Sequence, residues 1–171
     1  VAANPKTLKK YGKKLAREQR KLSRKAKGSN NRNKQRIIVA RVHEKIANIR
    51  KDYLNKVSTK LVKENQLIGI EDLQVRNMLK NHQLAQAISD VSWSEFFRML
   101  EYKAVSHGCR VVRVPRFYPS SQKCCKCGYQ NKDTKNLAIR AWDCPVCGHH
   151  HDRDVNAARN ILAKAKEIIS A

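Results

Sequence analysis

Nowhere do apolar residues run on for the roughly 18 positions that a membrane-spanning helix needs. The opening VAANPKTLKK has no apolar signal core either. The expected setting is therefore the cytoplasm, in association with the nucleoid, and no membrane partner is expected. Acid is the second scarcity: 14 Asp and Glu face 37 Lys and Arg, a formal net charge of +23. Such an excess calls for a polyanion. Each phosphate neutralised by Lys or Arg releases condensed counterions, so nucleic acid is the expected partner. Charge alone names no function, since a ribosomal protein would carry as much. Internal repeats are absent, and 171 residues suffice for one core with a small insert.

Cysteine is present in a pattern. Cys124, Cys125, Cys127, Cys144 and Cys147 fall within 24 residues, and Cys109 stands apart. In a cytosolic chain such clustering argues for metal over disulfides. Cys124-Cys-Lys-Cys127 and Cys144-Pro-Val-Cys147 are two C-x2-C pairs 16 residues apart. Each pair makes a tight knuckle, and two knuckles complete the tetrahedron that zinc prefers. Gly128 and Gly148 follow the knuckles and relieve the turn that points backbone amides at sulfur. Four thiolates leave no open position, so Cys124, Cys127, Cys144 and Cys147 are read as ligands of a structural zinc and Cys125 as a spare thiol. The run His149-His150-His151 is read as a polar turn, and Trp142 as packing on the ribbon.

The rest of the chain alternates helix and strand. Asn4-Pro5 has the form of an N-cap followed by proline at the first helical position, and Leu8, Tyr11, Leu15 and Leu22 follow on one face. Through Arg36 the charges are 14 basic residues and a single acid, Glu18. After a turn at 27–31, Ile38, Val42, Ile46, Ile49, Tyr53, Val57 and Leu61 alternate steps of four and three. This predicts a second long helix over about 33–65, antiparallel to the first. Gln66 to Ile70 reads as a buried strand ending in Glu71-Asp72, 75–91 as a loop with a helical turn, and Ser92 to Gly108 as a helix. Cys109 to Val114 reads as a second strand, and a last helix starts near Asp152. Trp93, Phe96 and Phe97 recur at helical spacing and are read as core. The order is that of a parallel α/β layer with helical crossovers.

Phosphodiester cleavage by the two-metal route needs carboxylates from separated elements to converge on divalent ions. Glu71 at a strand end and Asp154 in the first turn of a helix are suitable suppliers. Strand-end acids also cap turns and first-turn acids also favour the helix dipole, so the residues alone leave both readings open.

Five segments in order, KLSRKAKGSNNRNKQR (21–36), IGIEDL (68–73), SSQKCCKCG (120–128), CPVCG (144–148) and HDRDVNAARNI (151–161), resemble the C-terminal half of OrfB/TnpB proteins. These are RNA-guided nucleases of insertion sequences and relatives of type V CRISPR effectors. The resemblance covers nearly the whole chain. It implies an α/β fold: a partial RNase H-like (RuvC) domain over 1–119, with a basic helical hairpin at about 4–65. A zinc ribbon is inserted over 120–150, and residues 151–171 form the C-terminal helix of the RuvC-like domain.

It also implies that Glu71 and Asp154 are catalytic ligands of Mg or Mn, with Asp152 as N-cap and Asn156 orienting metal or phosphate. The partners it implies are DNA and guide RNA. Their contacts are expected at Lys13, Lys14, Arg17, Arg20, Lys21, Arg24, Lys25, Arg32, Lys34, Arg36 and Arg153. The family's first catalytic aspartate lies on a strand ahead of the hairpin, where this chain begins. The isolated chain is therefore expected to be inactive and to associate through the exposed strand edge. A non-catalytic, zinc-stabilised DNA- or RNA-binding module is the competing reading.

Overall fold

A computed structural model describes residues 4–171. They fall into two compact units, one comprising the residues through Glu64 together with Gln74–Lys103, the other Asn65–Leu73 with Ala104–Ala171.

The first unit is built on two helices, α1 (Thr7–Ser23) and α2 (Asn30–Glu64). At about 1.5 Å per residue α2 runs for roughly 52 Å. The helices are antiparallel: Arg32 reaches the carbonyls of Leu22 and Lys25, Gln35 meets Glu18, and the Lys45 ammonium lies over the Tyr11 ring. α2 buries Gln35, Val39, Val42, Ile46, Leu54, Ser58 and Val62. Of the residues that periodicity predicts for the seam, Val42 and Ile46 are buried, Ile49, Tyr53, Val57 and Leu61 are half-buried, and Ile38 is 42% exposed with Val39 buried in its place. The seam is offset because it starts from Gln35, which must face Glu18.

The start of α1 differs from expectation. The helix begins at Thr7 rather than Pro5, and Lys6, not Asn4, holds the N-cap position in a left-handed conformation with no side-chain cap. Its exposed donors are satisfied from a distance. The Asp90 carboxylate accepts the Leu8 N–H at 3.2 Å and the Thr7 hydroxyl at 2.6 Å, and pairs with Arg50 at 3.3 Å. Asp90 lies on α4 (Ala85–Val91), which with α3 (Val75–Met78) occupies the segment read as a loop with a helical turn.

Next comes α5 (Trp93–His107), where the rings of Trp93, Phe96 and Phe97 cluster with centroids 5.7–6.4 Å apart. The Lys103 ammonium is buried against α2 on the Asn55 carbonyl, the Asn55 side chain and the hydroxyls of Ser58 and Thr59, all within 2.8 Å. Burial pulls its pKa below the ordinary lysine value.

In the second unit β1 (Leu67–Glu71) and β2 (Arg110–Val114) pair in parallel, Leu67 opposite Arg110 and Glu71 opposite Val114. Against β1 lies α6 (Arg153–Ser170). The approach is close enough to require glycine: a Cβ on Gly69 would stand 3.0 Å from Ile161 Cγ2 and 3.1 Å from both the Ile161 carbonyl and Ala165 Cβ. Between β2 and α6 come the two knuckles and a small antiparallel pair, β3 (Ala141–Asp143) with β4 (His150–Asp152). No helix among the described residues is long and apolar enough to cross a membrane.

Candidate metal centres and the cation surface

The four sulfurs of Cys124, Cys127, Cys144 and Cys147 lie within 4.8 Å of one another and can hold a metal ion. Cys124 and Cys147 are 3.7 Å apart, Cys127 and Cys144 3.5 Å. A tetrahedron with metal–sulfur bonds of about 2.3 Å has edges of roughly 3.8 Å, so the cluster fits the donor set of a tetrahedral thiolate site. Each knuckle closes on a glycine of positive φ, +81° at Gly128 and +67° at Gly148, and both glycine amides donate to the first cysteine's carbonyl.

The amides of Tyr129 and of Val146 and Cys147 favour the thiolates of Cys127 and Cys144 respectively. At Cys127 that pull is outweighed by burial and the neighbouring sulfurs, and the thiol is pushed up to about 12. At Cys144 the burial penalty is overcome by the amides and by hydrogen bonds from Cys127 and Cys147, and the pKa falls to about 7. Without a cation, one sulfur ionises at the expense of its neighbours.

The histidine run is not a free polar turn. His150 Nδ1 lies 2.7 Å from Asp143, and His151 is buried with Nε2 3.1 Å from Cys124 Sγ and its ring against Trp142. Trp142 shares a small core with Cys124 and Cys144.

Glu71 is the last residue of β1 and Asp154 lies in the first turn of α6. Ile169 lies beside Gln66 and Leu67, Gly69 touches Ala165 and Ile161, and Asn160 donates to the Ser120 carbonyl next to Glu71. So α6 runs antiparallel to β1. Glu71 Oε1 accepts a hydrogen bond from the Ser120 hydroxyl at 2.8 Å. Asp72 turns instead to Arg116 at 2.6 Å and Arg113 at 3.7 Å. Asp154 is exposed, 3.6 Å from an equally exposed Arg140, a pairing easily displaced. Asp152 accepts from the amides of Asp154 and Val155, the N-cap expected of it.

Other sequence-derived candidates take different positions. Asn156 is buried, accepting from the Cys125 amide and donating to the Lys123 carbonyl, so its amide is spent on the first knuckle. Arg153 is 8% exposed and reaches the Leu137 carbonyl, which leaves little of it for a phosphate. In the hairpin Arg32 caps the end of α1, while Arg17 and Lys21 pair with Glu18. Lys13, Lys14, Arg20, Arg24, Lys34 and Arg36 are exposed, and Arg17, Arg20, Lys21 and Arg24 line one shallow groove. Ser120 and Asn160 were missed. The sequence signal for Asn160 is its place four residues after Asn156, one turn along the same helical face.

Residues 1–82 match the family model described as a probable transposase, and residues 93–161 match a Cas12f1-like TNB domain. A Streptomyces pristinaespiralis protein, provisionally named an RNA-guided DNA endonuclease, is 54% identical over 160 residues, 94% of this chain and 39% of that protein. The chain belongs to the OrfB/TnpB family. Another member, from Escherichia coli K12 and provisionally named in the same way, is 42% identical over 179 residues, 96% of this chain and 44% of its own. The chain thus spans about two fifths of the length of these curated relatives. Its fold is similar to Cas12f1 in a cryo-EM complex with sgRNA and target DNA, with a TM-score of 0.60 at 20% identity over 91% of this chain and 41% of that one.

Proposed function

We propose that this chain is part of an RNA-guided DNA endonuclease: a RuvC-like core in which Glu71 and Asp154 ligate Mg²⁺ or Mn²⁺, stabilised by zinc at Cys124, Cys127, Cys144 and Cys147. The observation that supports the reading is the antiparallel run of α6 along β1, with Glu71 as the last residue of β1 and Asp154 in the first turn of α6. Carboxylates from two separated elements are what a two-metal phosphodiester site requires.

The four-cysteine module corresponds to 120–150 and forms an insert between the sheet and the last helix. The exposed cations of the hairpin, Lys13, Lys14, Arg20, Arg24, Lys34 and Arg36, supply a strip for the phosphates of DNA or guide RNA. Bound divalent ions would polarise the scissile phosphate and lower the pKa of an attacking water. The chain's own residues would do the rest: Glu71 and Asp154 fix where those ions sit, Asp152 holds the first turn of α6 in place, and the cation strip orients the strand.

The test is a chimera of the Streptomyces relative in which this chain replaces the aligned segment, given guide RNA, target DNA and Mg²⁺ or Mn²⁺. Cleavage is expected, and Glu71→Gln or Asp154→Asn is expected to abolish it while DNA binding and zinc content persist. A chimera that binds DNA and cleaves equally well with both substitutions would leave a non-catalytic, zinc-stabilised binding module.

A further inference from the structure

A metal-ligating carboxylate on a strand end has two rotatable bonds beyond Cβ and, when exposed, samples many orientations. Glu71 is exposed, yet Oε1 is held at 2.8 Å by the hydroxyl of Ser120, which is itself 7% exposed. Ser120 lies 49 positions further along the chain. It is held firmly: the Asn160 amide spends its two hydrogens on the Ser120 carbonyl at 2.8 Å and the Lys123 carbonyl at 2.6 Å. Asn156, one turn earlier, adds a second donor to the Lys123 carbonyl at 2.7 Å and accepts the Cys125 amide at 3.0 Å. Lys123 and Cys125 flank Cys124, the first sulfur of the thiolate cluster. Six residues thus form one hydrogen-bonded path from a knuckle cysteine to the carboxylate.

We propose that Ser120 is a positioning residue for Glu71, and that the thiolate centre governs Glu71 through it. The proposal rests on the reading of Glu71 as a divalent-cation ligand. A carboxylate offers about four lone-pair sites, so one donated hydrogen bond fixes its orientation and leaves capacity for a cation. Order in the first knuckle fixes the Lys123 carbonyl and the Cys125 amide. These orient Asn156 and Asn160, and Asn160 sets Ser120. Loss of the knuckle's metal then releases Glu71, although no sulfur touches it. Two centres of different chemistry are thereby linked in one direction of assembly, with the thiolate site formed first and the carboxylate site competent afterwards.

The experiment is Mn²⁺ binding to the zinc-loaded chain carried in the Streptomyces chimera, where the relative supplies its own segment ahead of the hairpin, followed by electron paramagnetic resonance, with zinc content and circular dichroism as controls of folding. Ser120→Ala is expected to weaken Mn²⁺ binding about tenfold, the lower end of what outer-shell changes at metal sites cost. Ser120→Thr, which keeps the hydroxyl, restores it, and Ser120→Ala adds nothing in a Glu71→Gln background. Removing zinc from the unaltered chimera weakens Mn²⁺ binding to the same degree. If Ser120→Ala loses zinc, Ser120→Gly replaces it, removing the hydroxyl without adding a metal ligand, and the same readings apply. Undiminished binding in the Ser120 variant, with binding lost in Glu71→Gln, overturns the positioning role and leaves Glu71 as a ligand. Undiminished binding in Glu71→Gln, or none in the unaltered chimera, removes the ligand reading and this inference with it.

Discussion

The hairpin unit and the sheet–ribbon unit solve the same problem by opposite means. In the first, a long α2 offers a seam of aliphatic side chains, and polar anchors pin its ends: Asp90 on the N-terminus of α1, Arg32 on its last carbonyls, Glu18 with Gln35 in the middle. In the second, the parallel sheet has two strands among the described residues, and the ribbon's buried cluster is Cys124, Trp142 and Cys144. A module with so little apolar area must be held by chelation and hydrogen bonds. Length secures one unit, and the proposed coordination secures the other.

The comparison breaks most visibly on metal removal. Structural zinc in small domains contributes roughly 10–16 kcal/mol of apparent folding free energy near neutral pH. Chelation, or Cys144→Ala, is therefore expected to unfold the ribbon while α1 and α2 keep most of the far-ultraviolet helical signal. Low pH should do the same by protonating the ligands. Limited proteolysis with mass spectrometry would locate the cuts: cleavage confined to about 120–152 supports the division, whereas cuts spread through α2 would show that the hairpin depends on the metal too.

A smaller effect, confined to the other unit, is expected from Asp90→Ala. The change strips the cap from Leu8 and Thr7 and leaves Arg50, whose Nε already lacks a partner, without its carboxylate. Losing a cap costs about 0.5–2 kcal/mol and stranding a buried charge more, so roughly 2–4 kcal/mol is expected. Chemical denaturation followed by helical signal measures it, and zinc affinity should not change.

What the sequence made legible follows from the range of each interaction. The knuckles depend on spacings of three residues and the α2 seam on spacings of three and four, so both can be counted off the chain. The cap of α1 could not be. Asn4-Pro5 carries the local signature, but the carboxylate that satisfies the helix comes from Asp90, over 80 positions away. The same distance hid the extent of α4, whose seven residues look like a single turn until their role in presenting Asp90 is seen. Ile38 and Val39 both fit the α2 period, and only the offset set by Gln35 and Glu18 decides between them. Ser120 was invisible for the same reason, since nothing in a serine pair names a glutamate on a distant strand.

Glu18 is the one acid among the hairpin's first 36 residues, and it gives the finest test of how that unit is held. Its carboxyl is lowered to about 2, chiefly by the hydrogen bond from the Gln35 amide, then by that from Lys21, against an opposing burial penalty. A depressed folded-state pKa contributes stability that is complete above the unfolded value near 4.5 and drains away as pH falls toward 2. The hairpin's melting temperature should therefore drop between pH 5 and pH 2.5 by more in the unaltered chain than in Glu18→Gln, where no proton is taken up at this position. Because the largest contribution comes from a neutral amide, added salt should weaken the effect only in part, by screening Lys21 and Arg17. Equal pH dependence in the two proteins would make Glu18 a passive occupant of the seam; complete loss of the difference in high salt would transfer its role from Gln35 to the surrounding cations.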